Sequence, residues 1–276
     1  MSSLIMGLYA ETSLHPGTGQ ISGAIDLPVA REKTTGYPVI VGSSLKGALR
    51  DRAEQEWGEK DFITLRIFGD QDRAGEVCVS DARLLLLPVR SLSGHFKWVT
   101  CPYLLERYLR DRELAGVAGT APVIPRVKEG QAMAAGSGTL FLEELSFEVI
   151  TTDLALLAEQ IAPLVYHDTV RKRLVEGLVL VNDEEFSYFA RFGLAVNAHN
   201  VLDNEKKTSQ NLWYEETVPP ETLFYALLLA RPGKDDALQQ LRGIFSERPY
   251  LQIGGNETVG QGWCAVSWVD NRGEIV

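Results

Sequence analysis

The order of apolar patterns along the chain constrains its fold more than any other feature of the sequence. Residues 3–12 alternate in a way typical of a strand, and residues 42–57 carry apolar side chains at helical spacing. Strand-like and helix-like segments then follow in irregular order, up to a closing strand at 263–270. This order predicts an α+β fold with an antiparallel sheet rather than a doubly wound fold.

The remaining segments have their own local signals. Ser43 or Ser44 is predicted to cap the first helix, Pro102 to open the next, and residues 195–218 to form a long hairpin with a polar tip at 203–208. The other predicted strands cover 76–89, 139–150, 176–181 and 250–253, and the other predicted helices lie near 153–161, 183–192 and 235–246.

Length and composition bound the class of protein. The chain has 276 residues, of which 45% are apolar and 23% charged, and it has neither an internal repeat nor a clear linker. We therefore expect one domain over 1–276. No apolar run reaches about 18 residues, the length of a membrane span, and the start lacks the basic segment of a signal peptide. The expected location is the cytoplasm, with Cys78, Cys101 and Cys264 as reduced core residues.

The net charge of −10 argues against indiscriminate binding of nucleic acid. It leaves room for RNA in a groove, because backbone N–H groups hold phosphates without side-chain charge. Several enzyme classes are excluded by missing motifs: the chain has no P-loop, no H-E-x-x-H, no C-x-x-C and no G-x-S-x-G.

Two segments favour anion binding. Lys46 and Arg50 share a face at the start of the first helix. The positive end of the helix dipole repels these cations, and an anion bound there would offset that repulsion. The alternative is a solvated face with Arg50 paired to Glu54. A second segment, 254–262, has glycines that would let backbone N–H groups approach phosphates, or it is a flexible hairpin turn. Its glycines are Gly254, Gly255, Gly260 and Gly262.

The long Gly- and Pro-rich segment 13–38 is the third candidate, since connections of this length inside a domain are often functional. It contains His15, Asp26, Arg31 and Lys33. An isolated loop aspartate such as Asp26 is also a common turn former.

The ordered set of these segments carries a family resemblance over nearly the whole chain. It comprises the opening strand with His15-Pro16-Gly17 and Asp26, the run Pro38–Arg50, Val79–Ala82, Pro88–Ser91, Val99–Pro102, Leu212–Glu216 and the glycine-rich loop. In this order they resemble the RAMP superfamily of CRISPR proteins, and within it the backbone subunit of the type III-B (Cmr) effector complex.

The resemblance implies a modified RRM/ferredoxin-like core with insertions, one of them near 90–138, and a long hairpin near 195–218, called the thumb. The sheet would not stack bases as an ordinary RRM does. Copies of the subunit would line up as a filament along a guide (CRISPR) RNA beside other Cmr subunits. The thumbs would interrupt the guide–target duplex, and the target RNA would be cut at regular intervals.

The resemblance also implies roles for individual residues. Asp26 would be the catalytic residue and the ligand of a divalent metal ion, Mg or Mn, with His15 and Glu215 in supporting roles. Guide-backbone contacts would come from Ser43, Ser44, Lys46 and Arg50.

Other interpretations remain open. The chain could bind guide RNA without cutting, process guide precursors as an isolated ribonuclease, or be an α+β interaction protein that binds no RNA. His95, His167 and His199 are assigned no role and are expected to be structural.

Overall fold

The computed structural model describes residues 2–20, 23–119, 121–203, 206 and 208–275. The strands in this part of the chain are β1 Ser3–Ala10, β2 Val39–Ile40, β3 Val77–Val79, β4 Ala82–Arg90, β5 Phe96–Thr100, β6 Gln131–Ala134, β7 Gly138–Leu142, β8 Leu145–Thr151, β9 Leu178–Leu180, β10 Ala195–Leu202, β11 Ser209–Thr217, β12 Leu223–Ala230, β13 Tyr250–Gln252 and β14 Trp263–Val269. The helices are α1 Gly42–Trp57, α2 Phe62–Phe68, α3 Pro102–Leu114, α4 Ala155–Ile161, α5 Asp168–Gly177, α6 Asp183–Phe192 and α7 Asp235–Gly243, with 3₁₀ turns at Ala162–Leu164 and Glu257–Val259.

Four strands at the centre of the large sheet define the fold class. They are hydrogen-bonded in the order β14-β1-β12-β4, and all three pairings are antiparallel. Helix α1 follows β1 and helix α7 follows β12, and both contact the sheet. This is the β-α-β-β-α-β arrangement of a ferredoxin-like or RRM-like core, which confirms the predicted fold class.

The sheet continues beyond this core through β5, β9, β6, β8 and β7. Two of these pairings, β5 with β9 and β6 with β8, are parallel. The strand-like segment predicted over 139–150 is present as two strands, the hairpin of β7 and β8, and Glu143 in its turn has a φ of 49°. Its strand-like composition fits two short strands as well as one long one.

Both faces of the central strand β1 are covered, since every residue from Leu4 to Ala10 is buried. On one side the chain passes so close that a Cβ on Gly7 would lie 2.1 Å from the carbonyl oxygen of Leu164. Only glycine fits there without a shift of the backbone. The centre of the sheet therefore offers no open surface on which RNA bases could stack, as the resemblance implied.

The cysteines divide into two groups. Cys101 and Cys264 are buried as expected, and burial raises the pKa of both thiols, that of Cys264 to about 12. The core prediction is wrong for Cys78, which is exposed on the short strand β3. No helix among the described residues is both long and apolar enough to cross a membrane.

Candidate functional site

A two-stranded hairpin projects from the end of α6. Strands β10 and β11 pair antiparallel from Ala195–Thr217 to Leu202–Ser209, with a register shift near the tip. The hairpin predicted over 195–218 is thus present, while positions 204, 205 and 207 of its predicted polar tip lie outside the described residues. Its base is where the candidate residues meet.

The long segment after β1 docks along the outer edge of β11. Leu27 forms a parallel bridge with Glu215: the Leu27 N–H donates to the Tyr214 carbonyl at 3.1 Å, and the Glu216 N–H donates to the Leu27 carbonyl at 3.0 Å. Nearer the core, Leu14 pairs with Val218 in an antiparallel bridge. These bonds satisfy strand-edge groups that would otherwise be unpaired, and they fix the loop at the base of the hairpin.

Asp26 lies at the end of this short pairing and is half-buried. The backbone N–H of Tyr214 donates to Oδ2 of Asp26 at 2.9 Å. Among the described residues no hydrogen bond reaches its second oxygen, Oδ1. A carboxylate held by one oxygen and open at the other can bind a cation or accept a proton from a hydroxyl.

His15 lies inside the cluster with only 8% of its surface exposed. Its Nδ1 is 2.8 Å from the carbonyl oxygen of Glu216, and because a carbonyl only accepts, Nδ1 must carry the hydrogen. The backbone around His15 is tight, since a Cβ on Gly254 would lie 2.3 Å from its carbonyl oxygen. These contacts make His15 a packing link between the loop, the hairpin and the glycine-rich segment.

Glu215 is also buried, and its carboxylate accepts a hydrogen bond from the side-chain amide of Asn256. The same amide donates to Oε1 of Gln261 at 3.1 Å, and Asn256 has a left-handed φ of 64°. Asparagine tolerates this conformation better than most residues. The glycine-rich loop is thus bound to the Asp26 cluster through Glu215, a connection that sequence spacing did not indicate.

The glycines of this loop are largely used in packing. The Gly255, Gly260 and Gly262 N–H groups donate to carbonyls of His15, Glu257 and Ser13, at 3.1, 2.9 and 2.8 Å. Of the four glycine N–H groups, that of Gly254 alone has no partner among the described residues. RNA contacts by Gly254, Gly255, Gly260 and Gly262 stay a prediction.

The start of α1 differs from its predicted form. The capping residue is Val41, with no side-chain cap, so the prediction of a cap by Ser43 or Ser44 is wrong. Instead, Oδ1 of Asp81 accepts from the Gly42 N–H at 2.6 Å. Ser43 and Ser44 are exposed in the first turn, and their N–H groups have no partner among the described residues.

The two cations of α1 are not equivalent. Nε of Arg50 donates to Glu54 at 2.7 Å, as the solvated-face alternative predicted, and its Nη1 donates to the Gly69 carbonyl at 3.2 Å. Lys46 is half-buried and forms no ion pair within the described ranges. Helix α1 and the Asp26 loop are connected through β2, because the Val39 N–H donates to the Ala30 carbonyl at 2.9 Å.

Glu216 and Arg31 complete the cluster. Oε1 of Glu216 is 2.6 Å from Nη2 of Arg31, and its Oε2 accepts from the Val29 N–H at 3.1 Å. In the sequence, Arg31 was noted in the long loop but assigned no function. Glu215 and Glu216 are neighbours on a strand, so they face opposite sides of it, and each binds a different part of the cluster.

The unassigned histidines lie elsewhere. His199 stacks on Trp213 across the hairpin with ring centroids 5.4 Å apart, His167 contacts Glu11 at 2.5 Å, and His95 occupies a turn with a φ of 69°.

Within the described part of the chain, no three His, Cys, Asp or Glu side chains come together as a metal site would require.

Comparisons with known proteins agree with this fold along the whole chain. The chain is 34% identical over 283 residues to a protein of Pyrococcus furiosus named CRISPR system Cmr endoribonuclease Cmr4, covering 97% of this chain and 96% of that protein. The crystal structure of oligomeric Cmr4 from Pyrococcus furiosus superposes with a TM-score of 0.79 at 31% identity, covering 100% of this chain and 99% of that one. A chain of the type III-B Cmr-beta complex bound to cognate target RNA has the same fold, with a TM-score of 0.78 at 23% identity and 97% of each chain covered. The family model of the RAMP superfamily matches residues 8–265, and the chain therefore belongs to the RAMP superfamily.

Proposed function

We propose that this chain is the guide-RNA-binding backbone subunit of a type III-B CRISPR effector complex, and that it cleaves complementary target RNA with Asp26. The observation that carries the proposal is the half-exposed carboxylate of Asp26, anchored by one oxygen at the base of a projecting hairpin. Full-length similarity to a Cmr endoribonuclease supports the reaction. The oligomeric state of a Pyrococcus furiosus relative supports assembly of copies side by side.

Asp26 would act on the ribose 2′-OH of the target. Its Oδ1 would accept the hydroxyl proton, or orient the hydroxyl, as the 2′-oxygen attacks the neighbouring phosphorus. The P–O5′ bond would break in this step, and the leaving 5′-oxygen would take a proton from water. The hydrogen bond from Tyr214 and the bridge at Leu27 fix the carboxylate without occupying this oxygen. Since in-line attack depends on geometry, the hairpin contributes by holding one nucleotide out of the duplex beside Asp26.

A divalent cation, Mg or Mn, is part of the proposal. At the base of the hairpin, Oδ1 of Asp26 has no partner among the described residues, while Glu215 accepts from Asn256 and both oxygens of Glu216 are bound, to Arg31 and to the Val29 N–H. This donor set fits an ion of the Mg type, which commonly takes one or two carboxylates and completes its shell with water and substrate phosphates. When bound, such an ion would stabilise negative charge on the reacting phosphate.

The guide would be held at the start of α1, where the N–H groups of Ser43 and Ser44 have no partner among the described residues and the half-buried Lys46 adds a positive charge. Arg50 would contribute less, because Glu54 already neutralises it. The hairpin β10–β11 would serve as the thumb. Other copies of the chain, other Cmr subunits, and the guide and target RNA are the partners that this function requires.

The decisive experiment is Asp26→Asn in the complex assembled with guide RNA and Mg²⁺. Asparagine retains an oxygen that accepts from the Tyr214 N–H but cannot take up a proton, so cleavage should be abolished while target binding is unchanged. The matched control is Asp72→Asn, an exposed aspartate outside the cluster. Cleavage by Asp26→Asn at the wild-type rate would overturn the catalytic assignment.

The same assay separates the other functions. A wild-type complex that binds target but never cuts it would identify a guide-binding subunit without nuclease activity. Cutting of guide precursors by the isolated chain in the absence of metal would identify a processing ribonuclease, and binding that does not weaken with salt would argue against RNA altogether.

A further inference from the structure

Arg31 contacts three separate parts of the molecule. Its Nη1 donates to the carbonyl oxygens of Gly36 and Ala190, at 2.8 and 2.7 Å, and its Nη2 lies 2.6 Å from Oε1 of Glu216. The side chain is 23% exposed and that of Glu216 only 5%. The planar guanidinium suits such a fork of acceptors better than an ammonium does.

Two of these acceptors, Ala190 and Glu216, lie at the two ends of the hairpin, and the third, Gly36, belongs to the same loop as Arg31. Ala190 is in the last turn of α6, five residues before β10 begins at Ala195, and Glu216 is the penultimate residue of β11. Free carbonyls at a helix C-terminus attract a cation. One guanidinium therefore ties the strand that enters the hairpin and the strand that leaves it to the loop that carries Asp26.

The other oxygen of Glu216 extends the connection toward Asp26. Its Oε2 accepts from the Val29 N–H at 3.1 Å, three residues after Asp26. The intervening Leu27 is paired with β11 through its backbone. The path from Arg31 to the reacting carboxylate thus passes through one buried glutamate and a short extended segment.

We propose that Arg31 is a positioning residue for target cleavage, which fixes the Asp26 loop relative to both strands of the hairpin through Glu216 and Ala190. This proposal rests on the proposed function. In this role Arg31 acts through its protein contacts rather than on RNA. Its contribution is to keep the Asp26 carboxylate in register with the nucleotide that the hairpin displaces, where an error of about 1 Å is enough to cost about 100-fold in rate.

The test compares variants in the complex assembled with guide RNA, under single-turnover conditions with saturating target. Arg31→Met, which keeps a long apolar stem, should lower the cleavage rate constant by about 10- to 100-fold with target affinity unchanged. Arg31→Lys should recover part of the rate, because an ammonium still reaches some of the acceptors. The matched control is Arg191→Met, since Arg191 is exposed beside Ala190 in α6 and donates to the Thr35 carbonyl of the same loop but not to Glu216 of β11.

A second readout does not depend on activity. Hydrogen exchange of the Leu27 and Val29 amides in the free chain should be faster in Arg31→Met than in wild type or Arg191→Met, because the loop loses its anchor. Glu216→Gln should accelerate the same amides, and combining it with Arg31→Met should add little, as expected for two partners of one interaction.

The outcomes separate this proposal from the proposed function. A wild-type cleavage rate in Arg31→Met beside an inactive Asp26→Asn would overturn the positioning role alone. Equal loss in Arg31→Met and Arg191→Met, or loss of target binding in step with cleavage, would also overturn it, because either result marks a general structural defect. Full cleavage by Asp26→Asn would overturn the proposed function instead.

Discussion

The carboxylate of Asp26 accepts a hydrogen bond from the backbone N–H of Tyr214, with Oδ2 and N 2.9 Å apart. The next bond along the same strand edge is made by the Leu27 N–H and the Tyr214 carbonyl. The side chain of Asp26 thus occupies the place of a carbonyl oxygen and ends the pairing of loop and strand. One oxygen is committed to this hydrogen bond, and the other has no partner among the described residues.

Metal removal tests what the second oxygen of Asp26 does. With EDTA in place of Mg²⁺, we expect the assembled complex to lose cleavage and to retain target binding, because an ion held by Asp26 would complete its shell with water and substrate phosphates. Added Mg²⁺ or Mn²⁺ should restore the rate, as measured by single-turnover cleavage. Undiminished cleavage in EDTA would contradict a metal role for Asp26.

Charge reversal on α1 tests the guide contact. Lys46→Glu should weaken guide binding for every guide sequence. The slope of log K against log salt concentration should become smaller by about one, as expected for the loss of one phosphate contact. Arg50→Glu should have the smaller effect, because Glu54 pairs with Arg50 in the free chain. Arg110→Glu, on the exposed face of α3, is the control. A loss limited to particular guide sequences would argue against backbone recognition.

Much of the architecture could be predicted because it depends on local signals. Helix α6 was predicted over the residues it occupies. In the structure, the side chain of Asn182 caps the Glu185 N–H at 2.8 Å, and Phe186 and Phe189 form a buried stripe, so the helix depends on neighbouring residues in the sequence. Helix α2 was missed: at seven residues it is too short to show a periodic stripe. The strand β9 and the closing strands were found close to their observed bounds.

The arrangement of the candidate site depends on contacts that local patterns do not encode. Asp26 and Tyr214 are 188 residues apart in the chain, and His15 and Glu216 are 201 apart. Family resemblance selected Asp26, His15 and Glu215, but the roles of Arg31 and Asn256 follow from side-chain contacts. The same limit explains Cys78, whose exposure depends on its place at a sheet edge rather than on its residue type.

Thiol labelling tests the division among the cysteines. At about pH 8, one thiol of the native chain, that of Cys78, should react rapidly with an aromatic disulfide reagent, and all three should react after unfolding. Cys101 and Cys264 are protected by burial, which also raises the pKa of their thiols and keeps them protonated. Replacement of Cys78 by Ser should remove the rapid phase; a second rapid thiol would contradict the packing of β14 or α3.

Substitution of Gly7 tests the cover of the central sheet. Gly7→Ala should lower the free energy of unfolding by about 1–3 kcal/mol, because the added methyl group forces β1 and the Leu164 backbone apart. Gly47→Ala is the control, since nothing lies within 4 Å of its added Cβ, and it should stabilise α1 by up to about 1 kcal/mol. Equal stability of Gly7→Ala and wild type in urea unfolding would show that the sheet is open at this point.

The contact between Asn256 and Glu215 predicts a pH-dependent defect. Asn256→Asp keeps the shape of the side chain and its tolerance for a left-handed backbone, but it replaces the donor with a second carboxylate beside a buried one. At neutral pH the two charges repel, and the free energy of unfolding should fall by about 1–3 kcal/mol.

The direction in which the stability of Asn256→Asp changes with pH follows from the number of protons that the folded and unfolded states bind. The folded state of Asn256→Asp favours protonation of one carboxyl more than the unfolded state does, so stability relative to wild type is lost as pH rises from about 4 to about 7. Asn256→Gly keeps the backbone conformation and removes the same hydrogen bond without adding charge, so its loss should be smaller and should vary less over that range. Urea unfolding at both pH values measures the difference, and a parallel response of the two variants would show that Glu215 does not face Asn256.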